Sequence, residues 1–104
     1  MSSRRKGTEF ERQVADIWRS AGHTVRGLEA AGDHLIITPG GLVLHSECKR
    51  QERLRLPEWW EQTIRDCPTG AVPMLALRWS HGQPLCVMRL PFIAHILSTG
   101  REDG

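Results

Sequence analysis

At 104 residues the chain is bounded to one domain with one modest core, for which dimerisation is a natural supplement. Its formal net charge of +2 identifies no partner by its sum, so only the distribution of charge is informative. No apolar run is long enough to cross a bilayer or serve as a signal segment, and the 3 cysteines, without CxxC or Cys-His spacing, exclude a zinc motif and a disulfide framework; a reducing cytoplasmic interior is expected.

The first six residues read as a loose basic arm. Arg4-Arg5-Lys6 is a cluster of the kind that neutralises phosphates, or equally a solvated charge run. Gly7 to Ala21 is expected to be a helix: Phe10, Val14, Ile17, Trp18 and Ala21 recur at the spacing of a buried stripe, and Gly22 stops it. Glu11 lies beside that stripe. One reading of it is purely local, since Thr8-Glu9-Phe10-Glu11 matches the S/T-x-x-E capping box, in which the carboxylate satisfies a backbone N–H.

A short strand, Thr24-Val25-Arg26, leads into a loop over residues 27–32 that has glycine at both ends and so allows close approach to a phosphate. Two β-rich segments follow, His34 to Thr38 and Leu42 to Ser46, joined by Pro39-Gly40-Gly41 as a hairpin. With a three-residue loop centred on Gly40, Thr38 pairs with Leu42 and Asp33 falls opposite Glu47, on one face with Lys49 two residues further on. A two-residue loop would instead oppose Asp33 to Cys48 and turn Glu47 to the other face. Two convergent carboxylates and an amine suit a hard divalent cation with oxygen ligands. A salt bridge at a strand end is the plainer alternative.

Lys49-Arg50-Gln51-Glu52-Arg53-Leu54-Arg55 is a second basic cluster. Arginine outnumbers lysine 12 to 2, which favours forked phosphate contacts over point charges. Pro57 opens a second helix to Cys67, carrying the apolar pair Trp60 and Ile64 beside Trp59 and Thr63. Val72 to Trp79 and Leu85 to Leu90 form a second hairpin, and Pro91 starts a last short helix, Phe92 to Leu97. Residues 98–104 read as a flexible tail. Of the 5 histidines none pairs at ligand spacing; they read as structural or surface groups, with His34 and His45, inside the hairpin strands, standing apart. The order α, β, β, β, α, β, β, α predicts an α/β fold, a mixed sheet of about five strands flanked by helices.

Lys6-Gly7-Thr8-Glu9-Phe10-Glu11-Arg12 on an opening helix, Gly32-Asp33 before an apolar strand, and Glu47-Cys48-Lys49 at the end of the next resemble the PD-(D/E)xK nuclease superfamily, with Gly32 in place of its proline. More narrowly, they resemble the archaeal and phage Holliday junction resolvases, whose chains open with K-G-x-x-x-E-R. The resemblance covers nearly the whole chain. It implies a single-domain restriction-endonuclease-like fold over residues 7–97 and a homodimer acting on branched DNA. It further implies Mg²⁺, replaceable by Mn²⁺, held by Asp33, Glu47 and the backbone carbonyl of Cys48, with Glu11 binding directly or through water. Glu11, Asp33, Glu47 and Lys49 would form the catalytic set, Lys49 acting on the nucleophilic water, with Gln62 in support. Arg4, Arg5, Lys6, Arg12, Arg50, Arg53 and Arg55 would bind DNA. Two other classes stand beside this: a PD-(D/E)xK nuclease for nicked, mismatched or flap substrates, and a non-catalytic nucleic-acid-binding module.

Overall fold

A five-stranded mixed sheet, ordered as the strands occur in the chain, carries helices on both faces. In the computed structural model, residues 3–27, 33–50, 53–79 and 81–99 are described, with the side chains of residues 3–6, 33 and 99 left aside. The fold is the expected single-domain α/β arrangement of the restriction-endonuclease-like class. No described helix is long and apolar enough to cross a membrane.

Helix α1 spans Ser3–Ser20, so it is already formed four residues before the expected start at Gly7. Thr8 is therefore helix interior and not an N-cap, and the capping-box reading of Glu11 falls, because that motif needs its Ser or Thr outside the helix. Phe10 and Val14 are buried as the stripe predicts. Ile17, however, is 50% exposed, and the small Ala15 takes the inward position. At the far end Gly22 has φ 98°, the Gly22 N–H donates to Arg19 O at 3.0 Å and His23 N–H to Trp18 O at 3.1 Å. That pair of bonds is the Schellman stop, which requires a left-handed residue and so glycine.

Strand β1 (Thr24–Gly27) pairs antiparallel with β2 (Asp33–Ile37), which pairs antiparallel with β3 (Val43–Arg50). The connection is the three-residue loop. Thr38 N–H donates to Leu42 O at 2.9 Å, Gly41 N–H to Thr38 O at 2.9 Å, and Leu42 N–H to Thr38 Oγ1 at 3.0 Å. Gly41 sits at φ 90°, the left-handed position that closes such a turn without splaying the strands. The register that follows sets Asp33 opposite Glu47.

From β3 the chain crosses through α2 (Leu56–Asp66) to β4 (Val72–Arg78), parallel to β3. Pro57 lies in the first turn of α2, and Cys67, in extended backbone at φ −73° and ψ 124°, ends it before Pro68, as a residue preceding proline is pushed to do. Strand β5 covers only Leu85–Val87, shorter than the expected Leu85–Leu90, because Met88 and Arg89 turn into α3 (Leu90–Thr99). The Arg89 carbonyl accepts from Phe92 and Ile93. Helix α3 also runs beyond Leu97, so Ser98 and Thr99 are helical where a tail is expected; residues 100–104 lie outside the described set.

The sheet's alternation sorts the core into two layers. On one face Val25, Ile36, Leu44 and Met74 pack with Ala15 of α1, and Phe10 and Val14 pack on Ala76 with Cys48 alongside. On the other, Leu75 and Leu77 meet Trp59 of α2, with Leu56, Trp60 and Val87 around them. Trp59 is thus core, 5% exposed.

Candidate active site

Side chains alternate along β3, and the faces are known from the core. His45, Glu47 and Lys49 share the α2 face with Leu75 and Leu77, whereas Ser46, Cys48 and Arg50 share the α1 face with Ala76. Glu47 has Asp33 as its register partner on one side and Leu75 on the other. Leu75 is 0% exposed and Glu47 2%, so this carboxylate is largely withdrawn from water against apolar surface. A buried carboxylate needs cationic company. Lys49 provides it: its Nζ lies 3.5 Å from Glu47 Oε1, and its side chain stays 20% exposed, against 3% for Glu47. The ammonium therefore spans from a dry carboxylate to solvent.

Strand β2 begins at Asp33, opposite Glu47, while β3 continues through Arg50, paired there with β4. The Asp33–Glu47 pair thus lies at the last rung of the β2–β3 ladder, beside the loop over residues 27–32, of which 28–32 lie outside the described residues. The Asp33 side chain is likewise outside them, and the carboxylate is placed by register alone. Among the described residues no three His, Cys, Asp or Glu side chains converge as a metal cluster.

Glu11 approaches from elsewhere. Its neighbour Phe10 packs in the cluster that includes Cys48, so Glu11 stands level with the E-C-K segment but on the helix that covers the opposite face. Its Oε2 lies 3.9 Å from where a Cβ on Gly7 would be; the carboxylate folds back toward the glycine one turn earlier. The structure brings Glu47 and Lys49 into contact and Asp33 and Glu47 into register, and sets Glu11 at the same height across the sheet.

The remaining residues of the sequence reading spread around this end. Gln62 is half-buried on α2, the helix facing Glu47. Arg53 and Arg55 are exposed ahead of α2, and Arg50 is half-buried at the end of β3. Arg12 is exposed and lines a shallow cleft with Glu9 and Asp16, in acidic company. Arg4, Arg5 and Lys6 occupy the first turns of α1, and their side chains lie outside the described residues. Sequence reasoning misses Arg78. It is the register partner of Arg50, and its guanidinium donates to Gln13 Oε1 at 2.9 Å, tying α1 to the strand end. The only signal is an arginine closing an apolar run, which as sequence reads as a strand terminus.

The element order, the mixed sheet and the carboxylate, carboxylate, lysine row at a strand end together define an α/β nuclease of the PD-(D/E)xK class. The chain belongs to the family described as "phage putative PDDEXK endonuclease", whose model matches residues 2–100. No curated protein matches the chain.

Proposed function

We propose that the protein is a metal-dependent, structure-selective endodeoxyribonuclease that resolves four-way (Holliday) DNA junctions as a homodimer. The observation that carries the nuclease chemistry is the register of Asp33 with Glu47 together with the Lys49–Glu47 contact of 3.5 Å. The donor set fits a hard cation: carboxylate oxygens from Asp33 and Glu47 and the Cys48 carbonyl between Glu47 and Lys49; Glu11, on α1 across the sheet, is added to it by the family resemblance, directly or through water. When bound, Mg²⁺ or Mn²⁺ supplies Lewis-acid polarisation of the scissile phosphate and lowers the pKa of a coordinated water.

The chain's own work is positional and electrostatic. Glu47, packed against Leu75 and met by Lys49, presents a carboxylate group where a cation is wanted. Lys49, tethered to Glu47 yet reaching solvent, is placed to orient the attacking water and take part in its proton transfer. Arg50 closes β3 and Arg53 and Arg55 follow it, so the proposed phosphate-contacting segment starts where the catalytic one ends; contacts to backbone phosphates read shape in preference to sequence. The apolar surface of α3 supports the homodimer: Leu90 is 77%, Leu97 67% and Ile96 38% exposed, and contiguous exposed apolar residues mark interfaces.

A second reading, a nuclease for nicked, mismatched or flap DNA, rests on the same site and on a family description that names an endonuclease without a substrate. Cleavage compared side by side on four-way, Y-shaped, mismatched and linear DNA, with Mg²⁺ and with chelator, separates these. Preference for the four-way substrate is expected. Equal cutting of linear duplex removes junction resolution, and undiminished cutting in chelator removes the metal.

A further inference from the structure

Two arginines stand side by side where the parallel strands end. Arg50 and Arg78 are the last residues of β3 and β4 and are register partners. Alternation places both on the α1 face, as it does Cys48 and Ala76 before them. Like charges so placed repel, and both residues are half-buried, which weakens the screening that water gives. Arg50 has a further interaction of its own. Arg78 meets only a neutral acceptor among the described residues: its Nη1 donates to Gln13 Oε1 at 2.9 Å, an amide oxygen that orients the guanidinium without neutralising it, and its buried Nε has no hydrogen-bond partner there. Lys49, by contrast, is met by the Glu47 carboxylate.

We propose that Arg78, oriented by Gln13, binds a backbone phosphate of the DNA strand beside Arg50, at the carboxyl ends of β3 and β4. This rests on the nuclease reading and adds to it a residue on the other face of the sheet. A guanidinium held in one plane, half-buried and short of an anion suits a phosphate, which its fork meets through paired N–H groups. Open α/β sheets also take their ligands outside the carboxyl ends of parallel strands. Arg50 lies three residues beyond Glu47, about 10 Å along an extended strand. The pair is therefore spaced for a phosphate next to the scissile one. Such a contact fixes the position of the strand without reading its bases.

Binding of the full chain to labelled DNA, linear and four-way, over a salt series and in chelator so that nothing is cut, tests this. Arg78→Gln should weaken binding about tenfold and reduce the slope of log affinity against log salt by about 1. Gln13→Glu keeps the tie between α1 and β4 but gives Arg78 a carboxylate. It should reproduce both losses without lowering the melting temperature, and should cost little more in the Arg78→Gln background. An undiminished slope in Arg78→Gln overturns the proposal and leaves Arg78 a brace between helix and strand. Equal loss from Gln13→Glu in both backgrounds also overturns it, since general repulsion of DNA would then suffice. Unchanged affinity and slope in Gln13→Glu overturns it whether or not Arg78→Gln folds. Cleavage in Mg²⁺ is scored apart: a parent that cuts DNA while Arg78→Gln keeps its slope ends this contact alone, and a parent whose binding depends on Arg78 but which cuts nothing ends the nuclease reading alone.

Discussion

Lys49 has two roles that substitution can pull apart. Its ammonium is the counter-charge of a carboxylate 2% exposed, and in the proposed mechanism it acts on the attacking water. Lys49→Ala should therefore cut the cleavage rate by about 10² to 10⁴, the usual share of a proton-transfer group, while leaving DNA affinity nearly unchanged in a binding assay with chelator. It should also lower stability by about 1–3 kcal/mol, the cost of weakening support for a buried charge. Adding Glu47→Gln should recover most of that stability in thermal melts and none of the cleavage. Parent-rate cutting by Lys49→Ala would end its catalytic role. Cys67 shows the opposite case, a thiol whose role is structural. Its Sγ donates to Ala71 O at 3.4 Å, and burial raises its pKa against the lowering influence of Arg89. The folded pKa lies above the unfolded one, so this contribution is complete below the unfolded thiol pKa and is lost as pH rises through the folded value. The stability gap between parent and Cys67→Ala should accordingly narrow above about pH 9.

At the scale of elements, the hairpin turn decides the site. Gly41 at φ 90° holds a backbone conformation in which an L side chain is strained, so Gly41→Ala should cost about 1 kcal/mol and depress cleavage through the Asp33–Glu47 register. Gly40→Ala, with only Thr38 Oγ1 at 4.0 Å from the added carbon and no positive φ, should be nearly neutral in both assays. Gly7 offers a different comparison: an added Cβ meets Glu11 Oε2 at an ordinary 3.9 Å, so Gly7→Ala should raise the melting temperature by removing an intrahelical glycine, worth about 0.8–1 kcal/mol. This level is also where the sequence is most legible. Strand alternation and a Gly-Gly turn narrow the pairing to two registers, because pairing within one hairpin is local, and the three-residue loop then sets Asp33 against Glu47. What escapes is less local. Helix α1 begins earlier than Gly7 because Arg4 to Lys6 are compatible with helix and nothing breaks it there. Arg78 gains significance only once the parallel pairing of β3 with β4 sets it beside Arg50. The facing of Glu11, on the helix over the opposite side of the sheet, is likewise a tertiary fact that no spacing within α1 encodes.

For the whole molecule, the basic segment and the apolar helix make separate predictions. Arg53→Ala and Arg55→Ala should each weaken binding to all DNA forms and reduce the slope of log affinity against log salt by about 1, the signature of a lost phosphate contact. The dimer proposed from the exposed Leu90, Ile96 and Leu97 rests on α3, since Trp59 is consumed by the core. Mixing active subunits with Glu47→Gln subunits on a supercoiled cruciform plasmid should leave nicked circles where active homodimers linearise. Leu97→Asp should convert the protein to a monomer by sedimentation. The loop of Pro39, Gly40 and Gly41 has a further consequence, in the order of events during folding. Everything that sets Asp33 against Glu47 lies within one stretch, residues 33–47, whose closure carries a small entropic cost. The parallel pairing of β3 with β4, by contrast, must wait for all of α2 to be threaded across. The Asp33–Glu47 register is therefore expected to form early and await its surroundings: Gly41→Ala should slow refolding nearly in proportion to its loss of stability, whereas core truncations in α2, such as Trp59→Ala, should act mainly by hastening unfolding.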